Sequence, residues 1–119
     1  MTESDDCVAG WCADEEWCAI TCAAGVLSGK WHPVVVHRLL EEGALGFNRL
    51  QESVGDVSST VLSDTLDGLE SDGVVDRTVV SEKPFRVEYS LTDRGEDLRP
   101  VVAALHEWGE AHARATGCD

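Results

Sequence analysis

The chain has 119 residues and a formal net charge of −14, because 23 acidic residues outnumber nine lysines and arginines. This length is enough for one modest hydrophobic core and excludes a second domain of ordinary size. No segment approaches the roughly 18 consecutive apolar residues that span a bilayer, and the acidic start MTESDD lacks the regions of a signal peptide. The sequence therefore predicts a cytoplasmic protein with no membrane partner.

The first part of the chain predicts an acidic arm followed by a short helix. Residues 1–14 show no hydrophobic periodicity, which is typical of a flexible arm. From residue 15 to residue 27 apolar side chains recur at helical spacing, namely Trp17, Ile20, Ala24 and Leu27.

Three further short elements are predicted between residues 33 and 54. Pro33 suits the first turn of a second helix, which is expected to end before Gly43. Residues 44–46 then predict a short strand. A third helix is indicated by apolar residues at i, i+3 and i+7, which are Phe47, Leu50 and Val54.

The central stretch predicts a helix over residues 58–71 and a two-stranded hairpin over residues 74–91. Three leucines of the helix share one face: Leu62, Leu66 and Leu69. Asp72-Gly73 predicts the end of this helix, because glycine tolerates the left-handed conformation common there. The hairpin is rich in β-branched and alternating residues, and its turn is predicted at residues 82–85.

A last helix is predicted over about residues 93–114, with Thr92 as its cap. Pro100 interrupts this stretch, so it predicts either a kink or a separate turn before residue 100. An apolar stripe typical of a dimerisation helix runs along it, and Trp17 of the first helix joins the expected interface. The predicted interface residues are Trp17, Leu98, Val101, Val102, Leu105 and Trp108.

This order of elements predicts an α+β, mainly helical fold: a winged helix-turn-helix domain over residues 15–119, with an N-terminal helix and a C-terminal dimerisation helix. No nucleophile, base and orienting acid occur at a recognisable spacing, so an enzyme is not expected. No cofactor is expected either.

Several short segments, in order and at fixed spacing, are similar to those of one known family. They are Cys18, Gly29-Lys30-Trp31, Gly46-Phe47-Asn48-Arg49-Leu50, Asp72-Gly73, Val87-Glu88-Tyr89-Ser90-Leu91-Thr92 and Trp108-Gly109. Over roughly residues 18–109 the chain resembles the HxlR-type winged-helix transcriptional regulators, relatives of the MarR group. The resemblance implies a homodimer that binds double-stranded DNA, with the helix of residues 58–71 in a major groove and the wing at the adjacent minor groove.

The charge distribution departs from that family, whose members usually carry basic residues on the recognition helix. This helix contains no lysine or arginine. Phosphate contacts are therefore expected from the wing and the third helix, at Arg49, Arg77, Lys83 and Arg86. Base-edge or water-mediated contacts are expected from the hydroxyl-bearing residues Ser59, Thr60 and Ser63, and Ser58 is also predicted to contact DNA.

Asp64 has two interpretations: an acceptor for a cytosine amino group, or a solvated surface acid. The acidic helix also leaves a second function open, that of a winged-helix module that binds another protein and not DNA. The basic residues of the wing argue against this alternative.

The acidity itself predicts a salt-adapted cytosol. Six acids lie in the first sixteen residues, and removing them from the total of −14 leaves −8 on the rest. At molar salt the screening length falls to about 3 Å, so long-range repulsion from DNA disappears. The composition therefore suggests a halophilic source.

Five cysteines, an odd number with no CxxC pair, leave a sensory, a structural and a metal-binding role open. Cys18 lies where the resembled family has an N-terminal cysteine that senses oxidants or electrophiles in some members, and Cys22 follows one turn later. A disulfide between these two would strain a helix, since Cβ atoms at i and i+4 lie about 5–6 Å apart and a disulfide needs about 3.8 Å.

The spacings between the cysteines match no common zinc pattern, so no metal site is predicted. A small effector or oxidant remains a candidate partner.

Overall fold

A computed structural model of the chain describes residues 15–112, with side chains from residue 19 onward. The elements, in chain order, are helices α1 (Glu15–Val26), α2 (His32–Glu42), strand β1 (Leu45–Gly46), α3 (Phe47–Val54), α4 (Ser59–Ser71), β2 (Val75–Glu82), β3 (Phe85–Leu91), α5 (Asp93–Glu96) and α6 (Arg99–His112). The predicted winged helix-turn-helix is confirmed. The arm predicted for residues 1–14 lies outside the described residues.

The helix boundaries follow local sequence signals. Pro33 lies in the first turn of α2, where its missing N–H costs nothing. Gly43 and Gly55 end α2 and α3, and Gly73 follows α4, each with a positive φ that glycine adopts without strain. The local signals around α2, α3 and α4 were therefore sufficient to predict where these helices end.

The three strands form an antiparallel sheet in the order β1-β3-β2. Leu45 of β1 pairs with Tyr89, and the β2–β3 hairpin runs from the Val75–Leu91 pair to the Glu82–Phe85 pair at its tip. This hairpin is the wing. It is anchored at its base, where Val75 and Tyr89 are buried, and becomes exposed toward its tip.

The core lies between α2, α4 and the base of the wing. Its fully buried side chains include Val35, Val36 and Leu39 of α2, Leu50 of α3, the three leucines of α4, and Val74 and Val75. The predicted apolar face of α4 is confirmed, since Leu62, Leu66 and Leu69 are at most 1 % exposed. Packing this face inward leaves the opposite face of α4 uncovered.

Two expectations are revised. Of the apolar residues that predicted α1, Leu27 packs against the core, whereas Ile20 is 65 % exposed and Ala24 is exposed. Val26 is buried although it is not one of them. The stretch after the wing is divided into α5 and α6, which is the separate-turn alternative. Pro100 occupies the second position of α6, where a missing N–H is harmless. None of the helices within residues 15–112 is long and apolar enough to cross a membrane.

Candidate nucleic-acid interface

The turn between α3 and α4 is held by a side chain of α3. The Nε2 of Gln51 donates to the carbonyl oxygen of Val57 at 3.0 Å and to the Oγ of Ser59 at 3.3 Å. Val57 is itself buried. The two hydrogen bonds and this apolar contact set where α4 begins relative to α3. Sequence reasoning missed Gln51, whose only signal was its position one turn before the connection.

Ser58 caps α4. Its Oγ accepts a hydrogen bond of 3.1 Å from the backbone N–H of Val61, one of the amides that a helix start leaves without an intrahelical partner. The hydroxyl predicted to contact DNA is thus engaged in the protein as a cap. Thr65 is buried and donates to the carbonyl oxygen of Val61 at 2.8 Å, so its hydroxyl is also used internally.

The outer face of α4 is polar and exposed. Ser59, Thr60, Ser63 and Asp64 are all exposed, as the sequence pattern predicted, and Asp67 is exposed beside them. The described structure places no other element over these side chains. The helix therefore presents hydroxyls and carboxylates to a partner, without a positive charge of its own.

The cations predicted to contact phosphates are exposed on α3 and on the wing. Arg77, Lys83 and Arg86 are exposed on the wing, and Arg49 is exposed in the first turn of α3. A groove of about 420 Å³ runs between the first turn of α3 and the outer wing, and it brings Arg49 and Arg86 together. Arg77 and Lys83 lie outside it. The groove is lined by Ala44, Leu45, Gly46, Phe47, Asn48, Arg49, Val80, Phe85, Arg86, Val87 and Glu88.

The junction of α2 and α3 is fixed by a small polar network that sequence reasoning also missed. The Nε of Arg38 donates to the Oγ of Ser53 at 2.8 Å, and this hydroxyl donates to a Glu42 carboxylate oxygen at 2.6 Å. Arg38 and Glu42 also form an ion pair at 3.2 Å. The network positions α3, and with it Arg49.

The structure separates the residues predicted for a dimer interface into two groups. Val102 is buried in the chain's own core and Leu98 packs against that core. Val101, Leu105 and Trp108 of α6 are 39 %, 50 % and 60 % exposed. The side chain of Trp17 lies outside the described residues.

The cysteine predictions fall on α1. Cys22 is half-buried on this helix, and the side chains of Cys18 and of the preceding residues lie outside the description. Among the described residues, no group of three or more His, Cys, Asp or Glu side chains is arranged to hold a metal ion.

Taken together, the capped helix, the helix-turn-helix connection and the wing define a winged helix-turn-helix regulator. The model of the HxlR-like helix-turn-helix family matches residues 26–116, and the chain belongs to this family. An uncharacterized HTH-type transcriptional regulator of Methanothermobacter thermautotrophicus is 36% identical over 99 residues, which cover 83% of this chain and 75% of the relative.

Solved structures of the redox regulator HypR are similar in fold. The reduced form matches with a TM-score of 0.75 and 32% identity, covering 82% of this chain and 96% of HypR. The oxidized form matches with a TM-score of 0.72 and 34% identity, covering 79% of this chain and 96% of HypR. The chain is therefore a regulator of the helix-turn-helix class and not an enzyme.

Proposed function

We propose that the chain is a sequence-specific transcriptional regulator that binds double-stranded DNA as a homodimer. The single observation that carries this proposal is the position of α4. Its apolar face is fully buried, its polar face is uncovered, and the preceding helix α3 and the wing carry exposed arginines. In a winged helix-turn-helix this face enters a major groove.

The proposed DNA contacts are of two kinds, base contacts from α4 and phosphate contacts from α3 and the wing. Ser59, Thr60 and Ser63 carry hydroxyls that donate to or accept from base edges, directly or through water. Asp64 is exposed beside them and is suited to accept from a cytosine amino group. Ser58 contributes by capping the helix, so its role is to position the reading residues.

Phosphate contacts come from the cations of α3 and the wing. Arg49 and Arg86 line one groove and are suited to hold one strand of the backbone between them. Arg77 and Lys83 extend this positive surface along the wing. Phosphate contacts position the protein without reading sequence, which leaves selectivity to α4.

The proposed dimer interface is the exposed apolar part of α6. Val101, Leu105 and Trp108 lie within about 60° of each other around a helix of 3.6 residues per turn, and all three are exposed. Ile20 of α1 is also exposed. Apolar surface of this kind on a helix is typical of an oligomer contact. A twofold dimer would present two α4 helices to successive major grooves.

Salt is expected to tune binding. The net charge of −14 repels DNA at low ionic strength, and added salt screens this repulsion. A basic protein loses about 0.9 log units of affinity per log unit of salt for each phosphate that it neutralises. The carboxylates of this chain take up cations when it binds DNA. Its affinity should therefore fall less steeply with salt than that of a basic protein, or rise with salt.

The deciding experiment is a fluorescence titration of DNA from the chain's own upstream region across a range of potassium chloride concentrations. Arg86→Ala should weaken binding and change the salt slope by about 0.9. Arg99→Ala is the matched control, since Arg99 is an exposed arginine on α6 that pairs with Glu96. No binding at any salt, with no difference between Arg86→Ala and wild type, would instead support a winged helix that binds another protein.

We also infer a thiol switch on α1. The support is the similarity to HypR, a redox regulator with an oxidized and a reduced structure, together with Cys18 and the half-buried Cys22 one turn apart on α1. Oxidation by diamide would join two thiols as a disulfide, with two electrons and two protons passing to diamide. A bridge between subunits avoids the strain of one within α1.

Mass spectrometry after diamide treatment tests this switch. The expected result is a disulfide that joins Cys18 to another thiol, for which Cys22 is a candidate. This disulfide should be absent from Cys18→Ser, and its formation in the wild type should change the DNA affinity. An unmodified Cys18 would rule the switch out.

A further inference from the structure

The wing carries an apolar strip that extends beyond the core. Cross-strand pairing joins Val79 with Val87, and side chains two residues apart on a strand share a face. Phe85, Val87 and Tyr89 therefore lie on one face of β3. Tyr89 is buried and Val87 is half-buried, whereas Phe85 is 63 % exposed and Val79 is 46 % exposed. The strip begins in the core and ends in solvent at the wing tip.

An irregularity in the hairpin adds a third apolar residue to this tip. The pairing register shifts between Val79 and Ser81, so Val80 has no partner in the ladder. Such a bulge turns a side chain away from its regular direction. Val80 is 48 % exposed. Three large apolar side chains thus lie exposed on the outer wing, an arrangement that marks an interaction surface.

Charged side chains of both signs lie around this surface, since exposed Glu82 pairs with Phe85 and half-buried Glu88 lines the groove together with Arg86. Lys83 and Arg86 flank Phe85 closely in sequence and both are exposed, on a chain that has only nine lysines and arginines. Val80 and Phe85 also line the groove that contains Arg49 and Arg86. The apolar tip is therefore continuous with the proposed phosphate-binding surface.

We propose that the wing inserts Phe85 into the minor groove of the target DNA and partly unstacks one base step, with Val79 and Val80 covering the adjacent sugars. This inference rests on the DNA binding proposed above. Apolar wedges are known to act in this way in proteins that kink DNA. Lys83 and Arg86 hold the flanking phosphates while the ring enters.

Insertion of Phe85 would supply binding affinity that α4 does not gain from phosphate contacts. A helix without lysine or arginine gains little affinity from phosphates, whereas burial of a phenyl ring is independent of salt. Unstacking costs least at flexible pyrimidine–purine steps, so the wedge also selects sequence through deformability. Selectivity then comes from two places, the hydroxyl face of α4 and the wing tip.

The test uses the full chain and a duplex selected by the wild-type protein from a random-sequence library, with 2-aminopurine placed at single positions under the wing. The wild type should raise the fluorescence at one step. Phe85→Ala should abolish this rise and weaken binding about tenfold, without changing the salt slope. Phe85→Leu should retain part of the rise, because it keeps an apolar wedge.

Arg99→Ala is the matched control, since Arg99 is an exposed arginine on α6 and its loss should leave both the salt slope and the fluorescence rise at their wild-type values. Phe85 is exposed, so Phe85→Ala should melt at the wild-type temperature by circular dichroism. The wedge is rejected if Phe85→Ala keeps the wild-type affinity, or if the wild type raises the fluorescence at no step. A changed oligomeric state of Phe85→Ala by sedimentation would reject it too, by assigning the tip to a protein contact. Enrichment of no duplex at all would reject the proposed function together with the wedge.

Discussion

The side-chain amide of Gln51 donates to the carbonyl oxygen of Val57 at 3.0 Å, so a residue of α3 holds the chain at the entry to α4. Gln51→Ala should lower the free energy of unfolding by about 1 kcal/mol, because a partly buried carbonyl loses its donor. It should also weaken DNA binding, since α4 is no longer fixed relative to α3. Urea unfolding and DNA titration measure the two effects. Glu52→Ala, at the exposed neighbouring position, should change stability by less than about 0.5 kcal/mol.

The cap of α4 can be tested separately from its reading face. Ser58→Ala removes the acceptor for the Val61 amide and should cost about 1 kcal/mol of unfolding free energy. Ser58→Asn restores a side-chain acceptor and should recover most of that loss. A Ser58→Ala variant as stable in urea as the wild type would show that the cap contributes nothing and that the Ser58 hydroxyl is free to contact DNA instead.

Two glycines give opposite predictions for the same substitution. A Cβ at position 95 would collide with the carbonyl oxygen of Val74 and crowd Leu91, so Gly95→Ala should destabilise the chain by about 1–3 kcal/mol. A Cβ at Gly109 meets nothing within 4 Å. Because alanine favours a helix, Gly109→Ala should raise stability by up to about 1 kcal/mol. Thermal unfolding of both variants checks the pair, and a stable Gly95→Ala would mean that the wing base moves easily.

The exposed face of α6 predicts the oligomeric state. Leu105→Glu places a charge at the centre of the proposed interface and should convert the dimer to a monomer, because burying an unpaired carboxylate is costly. Ala103→Glu is the control, since this exposed position lies about 160° around the helix from Leu105. Analytical ultracentrifugation distinguishes the outcomes. A Leu105→Glu variant that remains dimeric would place the interface elsewhere.

Salt should stabilise the folded chain. At a net charge of −14 the compact state repels itself, and potassium chloride shortens the screening length from about 10 Å at 0.1 M to about 3 Å at 1 M. The free energy of unfolding is expected to rise over this range. Asp67→Asn should show a smaller rise, because Asp64 and Glu70 lie three residues away on the same helix. Highest stability below about 0.2 M, close to physiological ionic strength, would count against a salt-adapted protein.

The sequence by itself determined the elements of this protein. The helical spacing of the three leucines of α4 and the glycine after the helix can be read from the sequence, because periodicity and a helix end depend on residues close together in the chain. The alternation in β3 predicted the wing in the same way. The short motifs along the chain identified the family, which the comparisons confirm.

The tertiary structure decided which surfaces remain available. Periodicity gave Val102 and Leu105 the same apolar stripe, yet only the packing of α6 against the core buries the first and exposes the second. Ile20 of α1 is exposed as well, which its helical spacing does not reveal. Arg49 and Arg86 meet across one groove although 37 positions separate them in the sequence. Such relationships depend on how the helices and the sheet pack in space, and local spacing carries no information about that packing.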